Sequence, residues 1–106
     1  MADLASIDIR VGTVLAATGF PEARKPSYKL TIDFGELGVK LSSAQLTVHY
    51  TADQLVGRQV IAAVNLGTRR IAGFESEVLV LGAMPSATEV VLLATDQRVA
   101  NGTRIG

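Results

Sequence analysis

Two adjacent arginines, Arg69 and Arg70, lie between apolar segments and are the side chains best suited to bind an anion. Guanidinium groups form paired hydrogen bonds to phosphate oxygens, so these arginines, a few residues after Asn65, are compatible with binding a nucleic-acid backbone. A second interpretation is that both are solvated or form ion pairs with Glu75 and Glu77. Because neighbouring residues on an extended segment point to opposite faces, only one arginine can face a given groove.

Two further segments carry side chains that could join such a contact. The hydroxyls and amide of the SSAQ segment (42–45) suit a phosphate, a ribose hydroxyl or an unstacked base, and they equally suit the capping of a turn. The PEARKPSY segment (21–28) places two cations beside a tyrosine on which a base could stack, although its prolines alone indicate only a stiff surface loop. The candidate nucleic-acid contacts are Lys40, Ser42, Ser43, Gln45, Asn65, Arg69, Arg70 and Ser76, with Arg24, Lys25 and Tyr28 as secondary contacts.

Residues for catalysis or metal binding are sparse. The chain has no cysteine and a single histidine, His49, which we interpret as an ordinary strand-end residue because a metal site needs several ligands. No nucleophile elbow, phosphate-binding P-loop or dinucleotide-binding glycine pattern occurs, and Asp8 with Arg10 is interpreted as a surface ion pair. We therefore expect a protein that is not an enzyme and that holds no cofactor and no metal.

The charges of this 106-residue chain, predicted to be a single domain over residues 1–106, balance at ten basic and ten acidic residues. Attraction of the whole molecule to nucleic acid is therefore not expected. The balance is uneven, because the segment 40–74 has a local charge of +3 whereas residues 75–106 are net acidic. A few phosphate contacts from such a segment predict weak binding that depends strongly on salt. The charged residues of the segment are Lys40, Asp53, Arg58, Arg69 and Arg70.

The chain is unusually apolar for its size. Hydrophobic residues make up 48%, and the ten glycines raise the share to about 57%, above the roughly 45–50% of ordinary domains. A small domain has much surface, so we predict a homodimer with contacts around Leu4 and Ile7 and from residues 90–93. No segment reaches ~20 uninterrupted apolar residues and the start lacks a secretion signal, so we expect a soluble cytoplasmic protein without membrane insertion.

The hydrophobic patterns predict a mostly β protein. Apolar and polar residues alternate over residues 28–34, and further strands are predicted over 9–17, 39–48, 58–65, 77–83 and 89–95. Gly12 is expected to mark a bulge or a tight bend. Thr51 and Gln54 have capping-box spacing, which predicts one short helix with Leu55 facing inward and Gly57 ending it. Five or more strands with a helix between the third and fourth favour a small closed barrel of the OB fold over a sandwich.

Six blocks, in order along nearly the whole chain, carry a family resemblance: DIRVGTV (8–14), FPEARKPSYKLTIDFG (20–35), SSAQLT (42–47), GRQVIAAVN (57–65), RRIAGFESEVLVLGA (69–83) and NGTRIG (101–106). They resemble the CsaA family, stand-alone tRNA-binding domains similar to the C-terminal domain of methionyl-tRNA synthetases. The resemblance implies an OB-fold homodimer without catalytic activity and an export-related chaperone role. It also places a basic residue at position 70, so Arg70 is predicted to face the groove.

Two functions from different classes stay open at this point. In the first, a pre-formed groove binds tRNA or another structured RNA through shape and backbone charge. In the second, apolar clefts near the dimer interface hold unfolded polypeptides or preproteins, and RNA binding is vestigial. We favour a non-catalytic tRNA-binding domain and place the chaperone role beside it.

Overall fold

The computed structural model describes residues 4–106, which form mainly short antiparallel strands. One α-helix, α1 (Ala52–Leu55), lies between the third and fourth strands as predicted, and 3-10 turns cover Leu4–Ser6 and Gly35–Leu37. In this part of the chain no helix is long and apolar enough to cross a bilayer. The strands are β1 (Ile9–Gly19), β2 (Tyr28–Asp33), β3 (Val39–Ala44), β4 (Gln59–Ala63), β5 (Arg69–Ile71), β6 (Phe74–Ser76), β7 (Leu79–Val80), β8 (Gly82–Ala83) and β9 (Val91–Leu92).

The wall of the fold is a five-stranded antiparallel sheet in the order β3-β2-β1-β4-β7. Its edges meet because the Glu77 N–H donates to the Leu41 carbonyl at 2.8 Å and the Ser42 hydroxyl donates to the Val78 carbonyl at 2.9 Å. We call this line, residues 41–43 of β3 with residues 76–78, the seam. Since the seam gives edge strands hydrogen-bond partners, the sheet is nearly closed, and the predicted small β-barrel is confirmed.

The barrel interior is filled by apolar residues at alternate positions along the strands. Leu30 and Ile32 of β2 and the adjoining Phe34 are each 0% exposed, which confirms the predicted two-residue period. Val60 and Ala62 of β4 belong to the same buried cluster. With Val14 of β1, the core is therefore built from the inner face of β1, β2 and β4, and the outer face is left free for other contacts.

Gly12 serves close packing and does not mark the bulge. A Cβ atom there would lie 2.7 Å from Cγ2 of Ile32 and 2.8 Å from the Phe34 ring, so only glycine fits. The bulge in β1 falls instead between Val14 and Ala16, where the register against β2 shifts. The prediction of a bulge at position 12 was therefore wrong, because hydrophobic contact across the barrel explains this glycine.

The helix α1 follows its predicted capping chemistry. The Thr51 hydroxyl accepts from the Gln54 N–H at 3.3 Å, and the Gln54 side chain accepts from the Thr51 N–H at 2.9 Å. Leu55 is 0% exposed in the core cluster, and Gly57 follows with φ of +85°. Inward-facing Leu55 and the glycine stop are both confirmed.

The second half of the chain is more fragmented than predicted. The strand expected over 77–83 is divided into β7 and β8, and the one expected over 89–95 is reduced to β9. The segment with the arginine pair forms a hairpin, β5–β6, which the sequence analysis had not identified. Its turn is made by Ala72 and Gly73, both with positive φ (46° and 82°), as tight two-residue hairpins require.

Candidate functional site

A groove of about 570 Å³ lies where the loop after β1, the end of β3, the start of β5 and the segment 79–90 meet. We call it the basic groove. Its lining combines polar and cationic groups with aliphatic side chains. The polar and cationic groups are Arg24, Lys25, Ser27, Ser43, Gln45 and Arg69, and the large apolar groups are Leu46, Ile71, Leu79, Val80, Leu81, Met84 and Val90.

The cations of the basic groove lack carboxylate partners. Within residues 4–106 the only groups within ion-pair distance are Asp8 with Arg10 and His49 with Glu89, the latter an ion pair only when the imidazole is protonated, and neither pair involves the groove. Arg24, Lys25 and Arg69 are all exposed, and no acidic residue lines the groove with them. The arrangement therefore holds three positive charges that are not neutralised inside the described structure.

The two adjacent arginines point to different sides of the hairpin. In the β5–β6 register Arg69 lies opposite Ser76 and Arg70 lies opposite Glu75. Directly opposed residues share a face, and Ser76 is buried against the barrel, so Arg69 lies on the barrel side. Arg69 lines the basic groove and Arg70 does not. This geometry favours Arg69 over the predicted Arg70 as the arginine of the basic groove.

The glutamates suggested as partners of the arginines make different contacts or none. The Glu77 carboxylate accepts from the Leu41 N–H at 3.0 Å and so belongs to the seam. Glu75 faces Arg70 across the hairpin, but among the described residues the pair is not within ion-pair distance. The interpretation of Arg69 and Arg70 as members of surface ion pairs is not supported by this geometry.

Two of the candidate serines are committed to the barrel. Ser42 is 0% exposed and donates its hydroxyl to the Val78 carbonyl. Ser76 is 8% exposed, and its hydroxyl accepts from the Ser43 N–H at 3.0 Å. Because these hydroxyls complete the seam, we omit Ser42 and Ser76 from the proposed contacts. Ser43 and Gln45 remain, since both line the basic groove.

Three other candidates lie away from the groove. The Asn65 amide accepts from the Asp8 N–H and donates to the Ser6 carbonyl, both at 2.8 Å, so it fastens the N-terminal segment to the barrel. The Tyr28 hydroxyl donates to the Tyr50 carbonyl at 2.8 Å, and its ring is not among the groove-lining groups. Lys40, on β3, lies opposite Ile32 of β2 and is also outside the groove. Of the secondary contacts, Arg24 and Lys25 are brought to the groove and Tyr28 is not.

A cluster that sequence reasoning missed holds the hairpin against the wall. The rings of Phe20 and Phe74 meet edge-on with centroids 5.5 Å apart. The Lys29 ammonium lies 4.7 Å from the Phe20 centroid and 5.4 Å from the Phe74 centroid, as in cation–π contacts. Since Phe74 ends the turn that follows β5, the cluster fixes where Arg69 lies. The available signal was two phenylalanines in a chain with only five aromatic residues.

Two pairs of titratable groups lie outside the groove. The predicted Asp8–Arg10 pair is confirmed, with 2.6 Å between the Asp8 carboxylate and Nε of Arg10. The hydrogen bond from Arg10 lowers the pKa of Asp8 below its ordinary value of 3.8. His49 lies 3.3 Å from the Glu89 carboxylate. Across residues 4–106 no group of three or more metal-ligating side chains comes together.

Comparison with known proteins gives close matches over the full chain. A crystal structure of the chaperone CsaA from Bacillus anthracis str. Ames is 50% identical with a TM-score of 0.95, covering 100% of this chain and 99% of that one. A crystal structure of the CsaA chaperone protein from Picrophilus torridus is 44% identical with a TM-score of 0.91, covering 100% of both chains.

Curated relatives extend the likeness to much longer proteins. The methionine–tRNA ligase of Methanococcoides burtonii is 32% identical over 103 residues, which is 97% of this chain and 15% of the ligase. This chain therefore spans about 15% of the length of the curated relatives it matches. The model of the family described as "Putative tRNA binding domain" matches residues 9–104. The chain belongs to this tRNA-binding domain family and, within it, groups with the CsaA proteins that it was predicted to resemble.

Proposed function

We propose that the protein binds tRNA in the basic groove and catalyses no reaction. The observation that carries the proposal is the set of three groove cations, Arg24, Lys25 and Arg69, with no carboxylate partner among residues 4–106. Cations of this kind replace ions condensed on a nucleic acid, and release of those ions drives association. Membership of the tRNA-binding domain family supports an RNA partner independently.

The two kinds of lining group suit different parts of a nucleotide. The cations attract backbone phosphates, while Ser43 and Gln45 can hydrogen-bond to a ribose hydroxyl or a base edge. Ile71 and Leu79 offer apolar contact to an unstacked base. Because the chain has only five aromatic residues, stacking contributes little, and phosphate contacts supply most of the affinity.

Charge reversal at one arginine, with its neighbour as a matched control, tests the proposal. In Arg69→Glu we expect tRNA affinity at low salt to fall by about tenfold or more, because a phosphate contact becomes a repulsion. Arg70→Glu makes the same change in net charge at an adjacent position outside the groove and should lose much less affinity. The measurement is titration of tRNA at about 50 mM salt, with melting curves to verify folding. Equal losses in the two variants would contradict the assignment of the groove.

We further propose that the protein acts as a homodimer in the cytoplasm, where tRNA is found. Val91 and Leu93, within the predicted interface segment, are 40% and 43% exposed, which favours contact with a second copy. Ile7 is half-buried, and the side chain of Leu4 lies outside the described part of the chain. Two grooves on one rigid body would bind a single tRNA more tightly than one groove. Sedimentation at micromolar concentration should give twice the chain mass of 11.1 kDa, and a particle of single mass would contradict the dimer.

A second candidate function is that of a chaperone for unfolded polypeptides or preproteins in protein export. It is supported by the CsaA chaperones that the chain is similar to, and by the apolar groups of the groove lining, of which Leu79 and Met84 are 51% and 61% exposed. Burial of aliphatic surface changes little with salt, so polypeptide binding should be nearly indifferent to it. The measurement is binding of a fluorescent unfolded protein at low and moderate salt. A steep loss of affinity would show that charge drives this binding instead.

A further inference from the structure

A second site, shallow, open to solvent and separate from the basic groove, lies beyond the C-terminal end of α1. Its volume is about 470 Å³, and it shares no lining residue with the groove. We call it the two-arginine pocket, because its only charged lining groups are Arg58 and Arg98. The full lining is Gln54, Val56, Gly57, Arg58, Gln59, Ala94, Thr95 and Arg98.

The first arginine of the pocket is held by the wall of the barrel. The Gly57 N–H donates to the Val14 carbonyl at 2.8 Å, and the Val14 N–H donates to the Arg58 carbonyl at 2.9 Å. The guanidinium carbon of Arg58 lies 5.1 Å from the centroid of the Tyr50 ring. Stacking of this kind restricts the side chain without neutralising it, so the charge stays available to a ligand.

The second arginine is placed by the C-terminal segment, which is itself fastened to β4. The Gln59 amide donates to the Val99 carbonyl at 2.7 Å and accepts from the Val99 N–H at 3.2 Å. Next to this clamp, the Arg98 guanidinium approaches the Gly57 carbonyl and the Thr13 hydroxyl, each at 3.4 Å. These acceptors are neutral and distant, so they orient Arg98 while leaving most of its five donors for another group.

The pocket holds two like charges and no acid. Within residues 4–106, neither Arg58 nor Arg98 is within ion-pair distance of a carboxylate, unlike Arg10, which is paired with Asp8. Two guanidinium groups lining one surface without a carboxylate give it a positive potential that favours an anion. The planar fork of arginine matches the oxygens of a phosphate, and the Gln54 amide adds a neutral donor at the same surface.

We propose that the two-arginine pocket is a second phosphate-binding site, which takes a backbone phosphate of the RNA bound in the basic groove. This source of the phosphate rests on the proposed function, whereas the affinity of the pocket for phosphate does not. One segment joins the two sites, because Val90 lines the groove and Thr95 lines the pocket. Five residues span at most about 18 Å, a distance that a folded RNA strand covers readily.

The experiment compares two double variants that remove the same charge. Arg58→Gln with Arg98→Gln neutralises the pocket, and Arg70→Gln with Arg104→Gln neutralises two exposed arginines outside both sites. For tRNA we measure the slope of log affinity against log salt. The pocket variant should have a slope shallower by about 1, the loss of one phosphate contact, and the control should keep the parental slope. If the double variant unfolds at too low a temperature for the titration, the single variants Arg58→Gln and Arg98→Gln are measured in its place.

A second arm uses inorganic phosphate without RNA. At ~50 mM phosphate, against chloride of equal ionic strength, the parent and the control should gain more melting temperature than the pocket variant, which keeps only the gain from the groove cations and from general phosphate stabilisation. Phosphate protection without a change in the tRNA slope assigns the site to free phosphate. If the pocket variant keeps both the parental salt slope for tRNA and the parental gain in melting temperature with phosphate, the site is overturned. Unchanged tRNA binding in Arg69→Glu overturns the proposed groove function instead, and the phosphate arm then still decides whether the pocket is a site.

Discussion

The seam and the basic groove both use β3, yet they treat polar side chains in opposite ways. At the seam Ser42 and Ser76 are buried, and both hydroxyls are hydrogen-bonded within the barrel. In the groove, the charges of Arg24 and Arg69 and the hydroxyl of Ser43 have no protein partner within residues 4–106. The polar side chains of the seam have their hydrogen-bond partners within the protein, whereas those of the groove are free to bind a ligand.

Residue type alone therefore does not distinguish a side chain that stabilises the fold from one that is available for binding. Ser42 and Ser43 are adjacent and chemically identical, but alternation along β3 sends one side chain inward and the other toward the groove. The same alternation separates Arg69 from Arg70 on β5. What distinguishes the members of each pair is the register of the partner strand, which decides whether the side chain is satisfied inside the fold.

The largest expected effect comes from cutting into the barrel wall behind the seam. Leu30 is 0% exposed and lies opposite Ser42. In Leu30→Ala the lost apolar contact and the cavity should lower the free energy of unfolding by about 3 kcal/mol, measured by urea denaturation. The affinity of the folded protein for tRNA should change by less than about twofold, because the groove lies outside the wall. A loss of affinity as large as that of Arg69→Glu would show that wall and groove are not separable.

A smaller effect is expected from releasing the hairpin that carries the groove arginine. Phe74→Ala removes the edge contact to Phe20 and the ring beneath Lys29, which should cost about 2 kcal/mol of stability. Because Arg69 then has to be ordered on binding, tRNA affinity should fall by about fivefold. The control is Val48→Ala, at a residue that is 55% exposed and outside the groove. Equal tRNA affinities of the two variants, both folded, would contradict this role of the cluster.

The smallest effects are expected at two adjacent serines, one in the seam and one in the groove. Ser42→Ala should lower stability by about 1–2 kcal/mol, because a buried hydrogen bond to the Val78 carbonyl is lost, and it should leave tRNA affinity unchanged. Ser43→Ala should do the reverse, with stability within about 0.5 kcal/mol of the parent and tRNA affinity a few-fold weaker. Thermal unfolding and tRNA titration on both variants give the four values. If both serines affected the same property, the division between seam and groove would be wrong.

The barrel could be predicted from the sequence because its signals are local. The alternation over residues 28–34 and the capping box at Thr51 and Gln54 depend only on neighbouring residues, and the structure confirms both. The strands of the second half were less predictable because they are short and pair with distant partners. The hairpin was missed because its turn, Ala72–Gly73, has a non-glycine residue in a positive-φ conformation that sequence patterns rarely announce.

The site was predicted only in outline. Arg24, Lys25, Ser43, Gln45 and Arg69 were all proposed from their chemistry and do line one groove. The sequence did not show which of the candidate side chains are hydrogen-bonded inside the fold. That depends on contacts between segments more than 30 residues apart, such as that of Ser42 with Val78. The two-arginine pocket has a similar origin, since Arg58 and Arg98 are 40 positions apart and line one surface because the C-terminal segment is hydrogen-bonded to Gln59.

The measurement that tests the central claim most directly is the salt dependence of tRNA binding by the parent protein. Three groove cations that each neutralise one phosphate predict that log affinity falls against log salt with a slope of about −2 or steeper. Between 50 and 200 mM salt, affinity should therefore drop by about 20-fold or more. A slope near zero, with tRNA still bound at 200 mM salt as tightly as at 50 mM, would contradict the account.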